Sequence, residues 1–117
     1  MAEATFRSGN PRVIDYTPAS GNIAAGQVVL LGNTAGLMCG VAHVAIENNT
    51  LGALGAGGGV YECTNLNNAA NYAVVYWDDS ASKVTTVSTN NAKFGFIVRD
   101  GGGGANTSCL VLHDPNN

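Results

Sequence analysis

The chain has 117 residues, a length that suits one compact domain and leaves too little for two. Only 11% of residues are charged, and the net charge of −3 leaves Arg7, Arg12, Lys83, Lys93 and Arg99 as the cations. That is no basic stripe for phosphates, and it argues against a nucleic-acid partner.

The 16 glycines and many Asn residues make solubility depend on amides, hydroxyls and backbone. Such a surface repels neighbours weakly, so self-association or docking onto a larger object meets little electrostatic resistance. Cys39, Cys63 and Cys109 cannot all pair within one chain and form no C-x-x-C, so they read as small apolar residues of a chain made in a reducing compartment. The N-terminus lacks the charged start and apolar run of a signal peptide, and no apolar stretch approaches about 18 residues. The expectation is a soluble chain outside the usual secretion route, without a membrane partner.

In chain order, residues 1–20 mix isolated apolar residues with Gly9-Asn10-Pro11 and Thr17-Pro18 and keep no period. Each proline pushes the residue before it toward extended geometry, so this stretch reads as an extended N-terminal arm preceding a single β domain over 21–117. Gly26 to Gly32 is a short apolar strand closed by glycines. Gly36 to Ile46 reads as two strands with a bend at Gly40, since a mid-helix glycine costs roughly 1 kcal/mol relative to alanine. The glycine-rich 51–59 is permissive backbone leading into the alternating strand Val60 to Thr64.

The chain's only Trp lies in Ala73 to Val87, where two runs of β-branched and aromatic residues flank the polar connection Asp78 to Ser82. This is a hairpin with a longer loop, and Val75, Tyr76, Trp77 and Val84 are its expected core. Phe94 to Arg99 and Ser108 to Leu112 are further strands, separated by the flexible run Gly101 to Gly104. Short strands between Gly and Asn turns, with no long amphipathic helix, define an all-β domain built as a small barrel or sandwich.

Candidate chemistry is sparse. Gly55 to Gly59 lacks the Lys and the following helix of a phosphate-binding loop. Asp78-Asp79-Ser80 lacks the spread of oxygen ligands of a calcium loop and suits a solvated turn. His43 and His113 have no metal-ligand spacing with the cysteines, and no local nucleophile signature is present. The residues therefore name no metal, no cofactor and no enzyme activity. Phe6 and Tyr16 lie in the arm, where an aromatic residue is hard to bury within one subunit and suits an anchor to a partner.

Met1 to Phe6, Asp15-Tyr16-Thr17-Pro18, Gly26-Gln27-Val28-Val29, the glycine loop before Val60-Tyr61-Glu62, and above all Val75-Tyr76-Trp77-Asp78 followed by Val84-Thr85-Thr86 carry a resemblance. They resemble the tailed-phage capsid cement, or head decoration, proteins, a family also labelled recombinase-like. That label fails here for want of a phosphate-binding loop.

The resemblance runs from residue 1 to about 112, and it departs at Tyr72, where family members commonly carry Gly. It implies an open β-barrel of the decoration-protein type and a homotrimer on the outside of an expanded phage head. It also implies the major capsid protein as partner, an arm that adds to a strand of the shell, and synthesis in the bacterial cytoplasm. Phe6, Arg7, Arg12, Val13 and Tyr16 are then the expected shell-binding residues. A different class, a carbohydrate-binding module, would expose Trp77 and Tyr76 as a stacking platform with Asp78 and Asp79 as polar partners.

Overall fold

The computed structural model describes residues 3–32 and 38–115. Ten strands occur in it: β1 (Thr5–Gly9), β2 (Val13–Tyr16), β3 (Val28–Leu31), β4 (Met38–Val41), β5 (Gly52–Gly55), β6 (Gly59–Asn65), β7 (Val74–Asp78), β8 (Lys83–Thr85), β9 (Ala92–Arg99) and β10 (Thr107–His113). The all-β expectation holds, with no helix among the described residues.

Two sheets form. One runs β1-β6-β10-β9-β7-β8, and the other β2-β5-β4-β3. The first closes on itself. β8 meets β6 in parallel at Asn65↔Val84, and the Leu66 N–H donates to the Val84 carbonyl at 2.8 Å. Strands β6, β10, β9, β7 and β8 thus make a small barrel, a closure that removes most open edges. Asn65 sits fully buried at the seam, and its amide group both donates to and accepts from the backbone of Ala69, at 2.9 Å each way. A buried amide satisfied on both sides holds the seam instead of weakening it.

Period-two alternation fills the barrel. β6 is buried at every second residue, from Gly59 through Tyr61 and Cys63 to Asn65. In the hairpin, Trp77 pairs with Val84 in register, and Trp77, Val75 and Val84 are fully enclosed with Phe94, Ile97 and Val111. β9 can pass close to β10 only because position 95 is glycine. A Cβ there would meet the Leu112 carbonyl oxygen at 1.8 Å.

The four-stranded sheet lies against this barrel. Val28, Cys39 and Val41 face the barrel core, while Ile23, Val29, Ala42, Ile46 and Leu54 form a second, smaller cluster. Two expectations change here. β4 runs straight through Gly40, whose missing side chain leaves room for Leu54, 3.0 Å from where a Cβ would be. Residues after Val41 make no second strand, only the bridge Ile23↔Ile46; positions 36 and 37 lie outside the described residues. The glycine segment, read as loose backbone, contributes β5, which pairs with both β2 and β4.

Candidate functional site

The first sixteen residues contribute one strand to each sheet. β1 lies antiparallel on β6, with Thr5↔Glu62 and Ser8↔Val60 in register and a bulge between Phe6 and Ser8. β2 lies antiparallel on β5, from Val13↔Gly55 to Tyr16↔Gly52. Both are edge strands, exposed along almost their whole length.

Glu3 ties this segment to both halves of the body. One carboxylate oxygen accepts the Val28 N–H at 2.9 Å, and the other accepts the Ser82 hydroxyl at 2.8 Å. Arg7, at the bulge, pairs with Glu62. Glu62 also accepts the Ser108 hydroxyl at 2.5 Å, and that bond, then Arg7, holds its carboxyl below the usual range. Phe6 remains 40% exposed while its ring rests on His43, centroids 4.9 Å apart, and meets Tyr61 edge-on at 5.7 Å.

Strand parity tells which edges are open. The Ala56 N–H donates to the Arg12 carbonyl at 2.6 Å. In an antiparallel ladder alternate residues bond to the partner, so Ile14 and Tyr16 also point at β5, and Val13 and Asp15 direct N–H and C=O outward. Among the described residues, no strand covers that side of β2.

The outer edges of β1 and β3 are partly closed. Just before β1, the Ala4 N–H donates to the Gly26 carbonyl at 2.9 Å. On β3, the Val28 N–H is taken by Glu3. Of the predicted arm residues, Val13 and Tyr16 lie on β2, Arg12 directly precedes it, and Phe6 and Arg7 lie on β1.

The hairpin holds no exposed platform. Trp77 is fully buried, and its indole N–H donates to Asp79 at 3.2 Å. Stacking on a sugar is therefore ruled out for Trp77, because the ring packs against Phe94, 5.9 Å away, inside the barrel. Tyr76 is half-buried, paired across Thr85 and Lys93. Asp78 accepts from the Ser80 hydroxyl at 2.7 Å and from the Ser80 and Ala81 N–H groups at 3.1 and 3.2 Å. These bonds, the hydroxyl first, hold its carboxyl below the ordinary range and commit it to the turn.

The other candidates are structural in the same way. Among the described residues, no group of three or more His, Cys, Asp or Glu side chains could hold a metal ion. The cysteines are free and buried, and burial pushes the Cys39 thiol to about 12, Cys109 to about 11 and Cys63 well above its usual value. Thiols so hard to ionise are poor nucleophiles. The glycine loop makes room for Tyr61: a Cβ on Gly55 would lie 2.7 Å from its hydroxyl, and one on Gly59 would lie 3.0 Å from its ring. That hydroxyl bonds His43 Nε2 at 2.6 Å, linking the barrel to the segment after β4. Sequence reasoning missed this link, although a large tyrosine just after a run of glycines was its visible trace.

Among the described residues, a closed barrel, a second sheet with an uncovered edge and no group of metal-ligating side chains describe a small β protein with one open strand edge. Residues 7–113 match the family model of the phage cement protein, and the chain belongs to that family of structural capsid components. No curated protein and no solved structure matches the chain. No helix among the described residues is long and apolar enough to cross a membrane.

Proposed function

We propose that the protein decorates the outside of the expanded phage head, where it binds the major capsid protein and stabilises contacts between its subunits. The observation that carries this reading is the uncovered edge of β2, read together with membership of the cement family. Its outward backbone groups at Val13 and Asp15 suit addition of an extended strand from the shell, with Arg12 and Tyr16 beside that strand and Phe6 and Arg7 on the neighbouring β1. The protein acts as a homotrimer, a state that its low charge opposes little. Many copies on one shell add weak contacts into firm attachment. It is made in the bacterial cytoplasm and acts by surface burial, without a catalytic step and without direct contact to nucleic acid or membrane.

Truncation is a poor test, because removing residues 2–14 would delete Glu3 and all of β1, which brace the body. The cleaner variant is Val13→Pro. It removes one outward N–H and no intrachain bond, and proline is tolerated on edge strands. Co-sedimentation with expanded heads prepared without the decoration protein should saturate for the wild type. The variant should keep the wild-type melting temperature and lose at least about tenfold in affinity, roughly 1.4 kcal/mol. Undiminished binding by the variant would remove the edge from the proposal; a wild type that never sediments with heads would remove the decoration role itself. Native mass in solution and on the shell tests the trimer.

A further inference from the structure

His113 ends β10 with a fully buried side chain. Its Nε2 lies 2.9 Å from the Cys39 carbonyl oxygen on β4. A carbonyl can only accept, so Nε2 carries the proton and Nδ1 of the neutral ring is a bare lone pair. That lone pair is buried and has no hydrogen-bond partner. Phe94 lies against the ring at 4.7 Å and Tyr61 meets it edge-on at 5.7 Å. The bond to Cys39 joins the barrel to the four-stranded sheet.

We propose that His113 is an acid-sensitive latch between the two sheets: the neutral ring fastens β10 to β4, and a proton on Nδ1 unfastens them, letting the four-stranded sheet swing away from the barrel. The reason is local. Protonation would place an N–H without an acceptor, and a positive charge, among aromatic rings.

The groups facing the ring do not relieve this. From β4, Cys39 offers a carbonyl already engaged and a neutral thiol. From β6, the Tyr61 phenol is pushed up to about 12 by burial and is occupied by His43. His43, from the segment after β4, also disfavours a positive charge on His113, and β9 contributes only the uncharged Phe94. Arg12, next to β2, places a cation near the His113 carbonyl, both within 4 Å of where a Gly57 Cβ would lie. Asp114, next along the chain, favours the cation, as does the Cys39 carbonyl. Burial outweighs both and lowers the ring's pKa from 6.5 to about 4.

The sign follows. An opened ring in water titrates near the ordinary value of about 6.5, so between there and about 4 the open form binds more protons. The closed-to-open ratio is full above about pH 6.5 and falls toward tenfold per unit below it. The total loss is roughly 300-fold, with no further change below about pH 4.

The test uses the isolated protein and is independent of any shell. Amide hydrogen exchange from pH 7.5 to 4, corrected for intrinsic rates, should show β3, β4 and β5 losing protection while β9 and β10 keep it. His113→Gln keeps an N–H for the Cys39 carbonyl but has no proton to gain, and His113→Phe keeps a ring with neither nitrogen; in both, this pH dependence should flatten. The wild-type ring, followed by nitrogen NMR, should stay in the neutral Nε2–H form wherever the sheets remain closed. Variants that lose protection in parallel with the wild type would overturn the latch, as would simultaneous loss in the barrel. A ring protonated near pH 6.5 with β3 to β5 still protected would overturn it too.

Discussion

The barrel and the four-stranded sheet solve the same problem, how to hide strand edges and apolar faces, to different degrees. The barrel has strands of up to eight residues, a closing pair at Asn65↔Val84 and an interior filled by Trp77, Tyr61 and Phe94. The other sheet has four strands of four residues, a core of small and medium side chains around Leu54, and an uncovered edge at β2. An edge left open is an aggregation risk, and most proteins blunt it. Here the open edge belongs to the sheet with the smaller cluster, while the largest fully buried side chains, Trp77, Tyr61 and Phe94, lie in the barrel. Under the proposed function, stability rests mainly on one sheet and contact on the other.

The barrel depends most heavily on Trp77. Trp77→Ala should cost about 3–5 kcal/mol, a large share of a small domain's total stability, and urea unfolding should show one cooperative loss. A cost below about 1 kcal/mol would mean that the barrel does not hold the domain. Leu54→Ala sharpens the contrast. It should cost about 2 kcal/mol, near the low end for a buried leucine, because its cluster is small and can collapse. Hydrogen exchange should locate the loosening in β2 to β5 and leave β9 and β10 protected. Tyr61→Phe follows at about 1 kcal/mol, the worth of one hydroxyl link to His43 across the two sheets.

The sequence shows the barrel more clearly than the sheet beside it, for a physical reason. β6 alternates and β7 and β9 are runs of β-branched and aromatic residues, so hairpin, core and turns could be read directly: Trp77 inward, Asp78 capping its own loop. β5 is glycine-rich and carries no such signal. It is a strand because its glycines admit neighbours: a Cβ on Gly52 would sit 2.7 Å from Ile46, and one on Gly55 equally close to the Tyr61 hydroxyl. Its ladder partners are farther off, with Gly55 paired to both Val13 and Val41, and no local pattern reports those pairings. The strands β1 and β2 were legible only as extended chain, since their pairing with β6 and β5 is fixed by partners 36 to 57 residues away. His113 and Glu3 were invisible as linking residues for the same reason.

Tyr72 gives the smallest expected effect and bears on the barrel's own rim. Seven described non-glycine residues have positive φ; six are Asn, Asp or Ser, which tolerate that conformation, and the seventh is Tyr72 at 68°. Its N–H is held by the Ile97 carbonyl at 2.6 Å, fixing the backbone, while its side chain is 74% exposed and returns little burial. A bulky residue held there is strained by about 1 kcal/mol or more, whereas Asn adopts the conformation with ease. Tyr72→Asn should therefore raise stability by up to about 1 kcal/mol, read as a higher melting temperature and urea midpoint with an unchanged slope. An unchanged or lowered midpoint would show that the tyrosine ring contributes packing that its exposure does not reveal. A raised one would show that the barrel's tolerance for this strain comes from the Ile97 bond and the strands behind it, and that the fold itself gives no reason for a tyrosine at this position.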